Sequence, residues 1–152
     1  ARSQAPQKWW REYRDPQSGR PIWITGTLPE AEGGSFEEKT TRYFQALAEP
    51  LGIEAPAEEL TPGRFQESGA GRAHWRFTQE YQGIPVYGSE LILHFDHGVP
   101  RQLNGRCFPT PRLEGAALEP AFAEMTAVEL AKGYLLAVQQ TPFLPSVPEH
   151  LL

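Results

Sequence analysis

The chain has 152 residues, and its 39% hydrophobic and 11% aromatic content can support a packed core. The formal net charge is −5, and only one basic and aromatic cluster occurs in the sequence, at residues 8–11. An acidic chain with so little basic patterning is unlike a nucleic-acid-binding protein. No apolar run approaches the roughly 20 residues that a membrane-spanning helix requires. The single cysteine, Cys107, excludes an internal disulfide, and we expect it to be a small buried hydrophobe.

The charges are unevenly spread along the chain. Residues 1–24 carry five basic side chains against two acidic ones, whereas residues 28–67 carry nine acidic against three basic. Such an asymmetry can steer docking onto a charged partner. A solvated helix face is the simpler explanation of the acidic stretch.

The first half of the chain predicts a polar extension, a strand and a capped helix. Residues 1–20 are polar with turn signals, and Pro21–Gly26 has the composition of a short strand. Ser35 and Glu38 form a capping box, in which each side chain satisfies an amide at the helix start. Apolar residues at helical spacing then predict a helix over 35–49. The next segment, 52–63, is rich in proline and acid and predicts a loop, followed by a short strand at 65–67.

The stretch 74–109 predicts three antiparallel strands with one apolar face. Side chains alternate from Trp75 to Tyr81, which places Phe77 and Gln79 on the same face. Gln79 is expected to bond to backbone groups there, because a buried amide without partners is costly. Pro85 cannot donate a ladder hydrogen bond and therefore marks an edge or a bulge. The apolar face continues through Leu91, Leu93 and Phe95 and, after a turn at 96–98, through Val99, Leu103 and Cys107.

The C-terminal part predicts a linker at 110–119, a helix over 120–140 that begins at Pro120, and a proline-rich tail at 141–152. Together the elements indicate an α+β protein in which one helix covers an antiparallel sheet.

Residue groups that suggest chemistry do not complete a site. His94, Asp96 and His97 look metal-like, but only two of them share a strand face, which is too few for zinc. The chain contains no His-Glu-x-x-His, and its serine and histidine residues lack the spacing of a nucleophile and its base. We therefore expect no catalytic residue, no metal and no cofactor.

Fifteen residues of the stretch form one ordered pattern: His74, Phe77, Gln79, Tyr81, Gly83, Ile84, Pro85, Val86, Tyr87, Gly88, His94, Asp96, Gly98, Asn104 and Gly105. This pattern resembles the fungalysin/thermolysin propeptide domain, whose motif runs His-x-x-Phe-x-Gln-x-Tyr-x-Gly-(Ile/Val)-Pro-Val and closes on Asn-Gly. The turn at 96–98 is one residue shorter here than in the commoner form of the family, which shortens one hairpin.

The resemblance implies a cystatin-like domain over residues 21–109, in which a helix packs on a curved sheet. It also implies that the helix at 120–140 opens a truncated second propeptide module, the PepSY domain. The chain would then be the non-catalytic propeptide of a secreted or periplasmic zinc metalloprotease. Its partner would be the catalytic domain in cis. The propeptide would assist the folding of that domain and inhibit it. The sheet surface and the edge near Pro85 would make the contact.

A second hypothesis is a free-standing protein-binding module or diffusible protease inhibitor that reuses the same fold. The two hypotheses differ in the reading frame. A propeptide precedes a downstream His-Glu-x-x-His, whereas a free-standing module does not.

Overall fold

The computed structural model describes residues 9–29, 33–113, 118–120 and 123–139. The chain divides into two compact units, Ala1–Arg112 and Leu113–Leu152. The first eight residues of the predicted polar extension and the tail at 141–152 lie outside the described residues.

The first unit is built on a seven-stranded antiparallel sheet. In chain order the strands are β1 (Trp10–Arg14), β2 (Pro21–Gly26), β3 (Leu60–Gly69), β4 (Arg72–Tyr81), β5 (Ile84–Pro85), β6 (Glu90–Asp96) and β7 (Val99–Arg106). Their order across the sheet is β1-β2-β7-β6-β4-β3, and the short β5 pairs with β4. The predicted α+β class is confirmed.

Three helical segments lie between β2 and β3: α1 (Phe36–Ala46), α2 (Ala48–Leu51) and α3 (Pro56–Glu59). The predicted capping box is formed, because the Glu38 amide donates to Ser35 Oγ and the Ser35 amide donates to Glu38 Oε2. The predicted helix at 35–49 is divided at Leu47 into α1 and α2. Gly52 ends α2 in the left-handed conformation that glycine adopts most easily.

The core lies between α1 and one face of the sheet. Phe44 of α1 packs edge-on against Phe77 of β4, with ring centroids 4.9 Å apart. Phe36 contacts Phe95 of β6 in the same way at 5.0 Å. The alternation predicted for β4 and β6 is confirmed, since their inward side chains are buried: Ala73, Phe77, Gln79, Leu91, Leu93 and Phe95.

Strand β1 was not predicted, and strand β3 is longer than predicted. β1 lies inside the predicted polar extension, where it pairs with β2 at one edge of the sheet. β3 and α3 replace most of the predicted loop at 52–63, and β3 reaches from Leu60 to Gly69 instead of 65–67. Eight of the ten β3 residues are exposed, so the strand has no apolar alternation that would reveal it.

Strand β7 corrects the prediction that Val99 continues the apolar face. A register shift pairs Phe95 with Pro100 but His94 with Gln102, so Arg101 is an extra residue in β7. This bulge turns the fully buried Pro100 towards the core and leaves Val99 half-buried. Leu103 and Cys107 are buried as predicted.

The second unit contains α4 (Glu124–Gln139), which begins four residues after the predicted start at Pro120. Its apolar side chains are largely exposed, namely Met125, Val128, Leu130, Tyr134, Leu135 and Leu136. None of the helices in the described ranges is both long and apolar enough to cross a membrane.

Burial of Cys107 makes its reactivity a test of the core. Its side chain is 3% exposed, and burial raises the pKa of the thiol to about 11 from 9.0. Because the thiolate is disfavoured in the folded state, the contribution of this thiol to stability is complete below pH 9 and falls as the pH rises towards 11. We expect alkylation by iodoacetamide at pH 8 to be at least tenfold slower than in the urea-unfolded chain. Equal rates would contradict the buried position.

Candidate partner-binding sheet

The sheet has two faces with different surroundings. Helix α1 covers one face, and the opposite face, here called the open face, carries no helix of the first unit. Directly paired residues of antiparallel strands point to the same side of a sheet. The pairing therefore places two rows on the open face: Gln66, His74, His94, Gln102, Thr25 and Arg11 in one, and Arg76, Ile92, Asn104, Trp23 and Tyr13 in the next.

The motif residues predicted from the sequence divide between these faces. Phe77 and Gln79 belong to the core, whereas His74, His94 and Asn104 lie on the open face. Tyr81 ends β4, where its hydroxyl oxygen accepts a hydrogen bond from Gln82 Nε2.

Gln79 forms the centre of a buried polar network, as the sequence predicts for its amide. Its side chain is 1% exposed. Nε2 donates to the Phe108 carbonyl oxygen at 2.8 Å, and the Phe108 amide donates to Oε1 at 2.9 Å. The side chain thus pairs with one backbone residue as a neighbouring strand would, and it fixes the chain immediately after β7.

The network continues into α3 through Glu59, which is 5% exposed. One Glu59 carboxylate oxygen accepts from the Ala55 amide and from Thr110 Oγ1, and the other accepts from Gln79 Nε2. Thr110 also accepts from the Glu54 amide. Hydrogen-bonding partners make a buried carboxylate tolerable. Neither Glu59 nor Thr110 carries a signal in the sequence, since both become neighbours of Gln79 only in the folded chain.

The segment between β4 and β6 contains two of the four glycines of the motif, Gly83 and Gly88. The Val86 amide donates to the Gln79 carbonyl oxygen at 2.8 Å, and the Gln79 amide donates to Ser89 Oγ. Gly83 and Gly88 have φ values of 79° and 78°, which glycine adopts without strain. Ile84 and Pro85 form the two-residue strand β5, so Pro85 lies in an irregular part of the sheet, as its missing amide predicts.

Two motif histidines face each other across β4 and β6. The ring centroids of His74 and His94 are 6.2 Å apart. His94 Nε2 lies 2.5 Å from Asn104 Oδ1, so a proton on Nε2 would be donated to that amide oxygen. Ser68 Oγ lies 3.3 Å from His74 Nδ1. The two contacts fix the orientation of both rings on the open face.

Metal ligands do not gather within the described ranges, where no group of three His, Cys, Asp or Glu side chains could hold an ion. Asp96 and His97 lie at the β6–β7 turn, with Asp96 Oδ1 3.9 Å from His97 Nε2. Gly98 completes that turn with a φ of 73°.

Replacement of Gln79 tests the buried network. Gln79→Leu leaves the Phe108 amide and carbonyl and the Glu59 carboxylate without their partner, so we expect a loss of about 2–4 kcal/mol in the free energy of unfolding. Urea denaturation measures the change. Gln102→Leu on the open face is the matched control, with an expected change within about 0.5 kcal/mol. Equal effects would contradict the importance of the network.

Gly105 is required by close packing between β7 and β6. A Cβ at this position would overlap the Glu90 carbonyl oxygen, and its φ of 127° is unfavourable for other residues. We expect Gly105→Ala to cost about 3 kcal/mol or more. Gly83→Ala is the control, because a Cβ there meets nothing within 4 Å, and it should cost only about 1 kcal/mol. Thermal unfolding of both variants distinguishes the two effects, and a Gly105→Ala protein as stable as Gly83→Ala would contradict the overlap.

Comparisons with known proteins show which family motif the sheet region carries. The family model described as the Fungalysin/Thermolysin Propeptide Motif matches residues 64–106. The chain is 30% identical over 113 residues to proteins named thermolysin from Alicyclobacillus acidocaldarius subsp. acidocaldarius, Bacillus caldolyticus and Bacillus sp. (strain EA1). The match covers 74% of this chain and 20% of each relative, so the chain spans about a fifth of their length.

No solved structure shows a significant similarity to the chain. The matched residues run from β3 through β7, and they include His74, Phe77, Gln79 and Gly105. Residues 64–106 therefore carry the fungalysin/thermolysin propeptide motif, and the wider chain is similar to thermolysins.

Proposed function

We propose that this chain is the propeptide region of a thermolysin-like zinc metalloprotease. It assists the folding of the catalytic domain and inhibits it before maturation, and it performs no chemistry itself. The observation that carries the proposal is the propeptide motif at residues 64–106, on the strands that form the centre and one edge of the sheet. The similarity to thermolysins over 113 residues supports the same conclusion.

The physical basis of such a role is linked binding. A domain that binds the native or near-native catalytic domain stabilises that state by mass action. Slow-folding proteins with exposed apolar intermediates benefit most from a docked template. The open face offers a broad surface for this purpose, and the Gln79 side chain ties β4 to the chain that follows β7.

The second unit fits the start of a further propeptide module. The exposed apolar residues of α4, among them Met125, Leu130 and Tyr134, require a cover in the complete protein. We assign this helix to the opening of a PepSY-like module whose strands follow in the precursor. A cystatin-like arrangement of the first unit and secretion or periplasmic export of the precursor belong to the same proposal.

The reading frame gives the first test. We expect the gene to encode His-Glu-x-x-His downstream of residue 152, within a thermolysin-like catalytic domain. A frame that ends near residue 152 or enters unrelated domains would contradict the proposal and favour a free-standing binding module.

A refolding experiment gives the second test. The denatured catalytic domain from that frame is diluted into buffer with an equimolar amount of this chain, and recovered peptidase activity is measured after a further proteolytic step removes the chain. We expect at least a fivefold higher yield than with serum albumin at the same concentration. The intact chain should also inhibit the mature enzyme. Equal yields and full activity would together refute the proposed role.

A further inference from the structure

The open face is positively charged although the chain as a whole is negative. Among the described residues, strand pairing and the bulges of β3 and β7 place six arginines on this face: Arg11, Arg64, Arg72, Arg76, Arg101 and Arg106. The described carboxylates on it are three: Glu80, Glu90 and Asp96. The helical layer behind the sheet is acidic, with Glu37, Glu38, Glu49, Glu54 and Glu58. The two sides of the first unit therefore differ in sign.

Two of these arginines flank the histidine pair. Arg72 and Arg101 line a shallow hollow of about 490 Å³ together with His74, His94 and Asp96. Arg76 is already paired with Glu90 at 2.7 Å, so its charge is largely compensated. By contrast, Arg72 and Arg101 form no ion pair with any described residue, and Arg101 donates only to the Thr27 hydroxyl.

Aromatic residues extend the same face towards its β1 edge. Tyr13 is 69% exposed and Trp23 is 39% exposed, and the two are directly paired across β1 and β2. Tyrosine, tryptophan and arginine are the residues most enriched at the energetic centres of protein interfaces. An exposed aromatic pair on the same face as arginines that form no ion pair with a described residue is therefore typical of a docking surface.

We propose that the open face docks onto an acidic surface of the catalytic domain. Arg72 and Arg101 bind carboxylates of that surface, since the planar guanidinium accommodates a carboxylate with two parallel hydrogen bonds. Tyr13 and Trp23 supply the apolar anchor. This inference rests on the proposed function and names the surface and the chemistry that perform it.

A protein surface fits the face better than a polyanion does. Glu80, Glu90 and Asp96 lie among the arginines and would repel a continuous phosphate backbone. A folded partner with mixed charges can place carboxylates opposite Arg72 and Arg101 while avoiding these three acids.

The test measures binding of residues 1–152 to the catalytic domain from the same reading frame by calorimetric titration at 50 and 300 mM NaCl. The variant is the double charge reversal R72E/R101E. The matched control is R42E/R112E, which changes the net charge equally, in the same unit but on the helical side of the sheet. We expect at least tenfold weaker binding and a reduced salt dependence for R72E/R101E, and a change within twofold for the control.

Each other result has a definite meaning. If the wild-type chain binds and R72E/R101E binds within twofold of it, the docking face is wrong while the proposed function stands. If the wild-type chain does not bind, the proposed function itself is contradicted. Should near-ultraviolet circular dichroism show that R72E/R101E is unfolded, R72Q/R101Q replaces it, with an expected loss of at least threefold. Single-stranded DNA gives a further check. If a 20-nucleotide strand binds more tightly than the catalytic domain and displaces it, the inference is also overturned.

Discussion

The paired hydrogen bonds between the Gln79 side chain and the backbone of Phe108 are the interaction on which the first unit depends. They lie in a site closed to water, where an unmatched amide would be expensive. Through Glu59 and Thr110 the same network holds α3 and the loop before it against the sheet. One buried side chain thereby joins three segments that are distant in sequence, and it fixes the helical layer on one face only.

Helix α1 covers one face of the sheet and leaves the other open, and residues of the propeptide motif lie on both faces. Phe77, Gln79 and Gly105 serve the architecture, because they pack against α1, complete the buried network and allow β7 to approach β6. His74 and His94 lie on the open face, where their rings face each other across β4 and β6. The motif thus specifies mainly a scaffold, while Arg72, Arg101, Tyr13 and Trp23 give this chain the particular character of its open face.

The separation of charge between the two layers has a consequence for association. If the proposed docking is correct, an acidic helical layer and an arginine-rich sheet face would orient a charged partner before contact and accelerate productive encounters. Part of the uneven charge along the sequence can be followed in the structure. The basic N-terminal stretch contributes Arg11 to the open face, while acidic residues of 28–67 lie on the helices opposite.

The sequence by itself determined the features that depend on neighbours along the chain. Alternation revealed β4 and β6, the Ser35 and Glu38 spacing revealed the start of α1, and the apolar setting of Gln79 showed that its amide needs backbone partners. Only the tertiary structure decided which backbone those partners are, and it alone revealed β1 and the full length of β3. Edge strands such as β3 are solvated over most of their length and carry no periodic signal, so they form because a central strand offers them hydrogen bonds. The bulge at Arg101, which directs Pro100 inwards, arises in the same way from pairing between strands, and no pattern within β7 announces it.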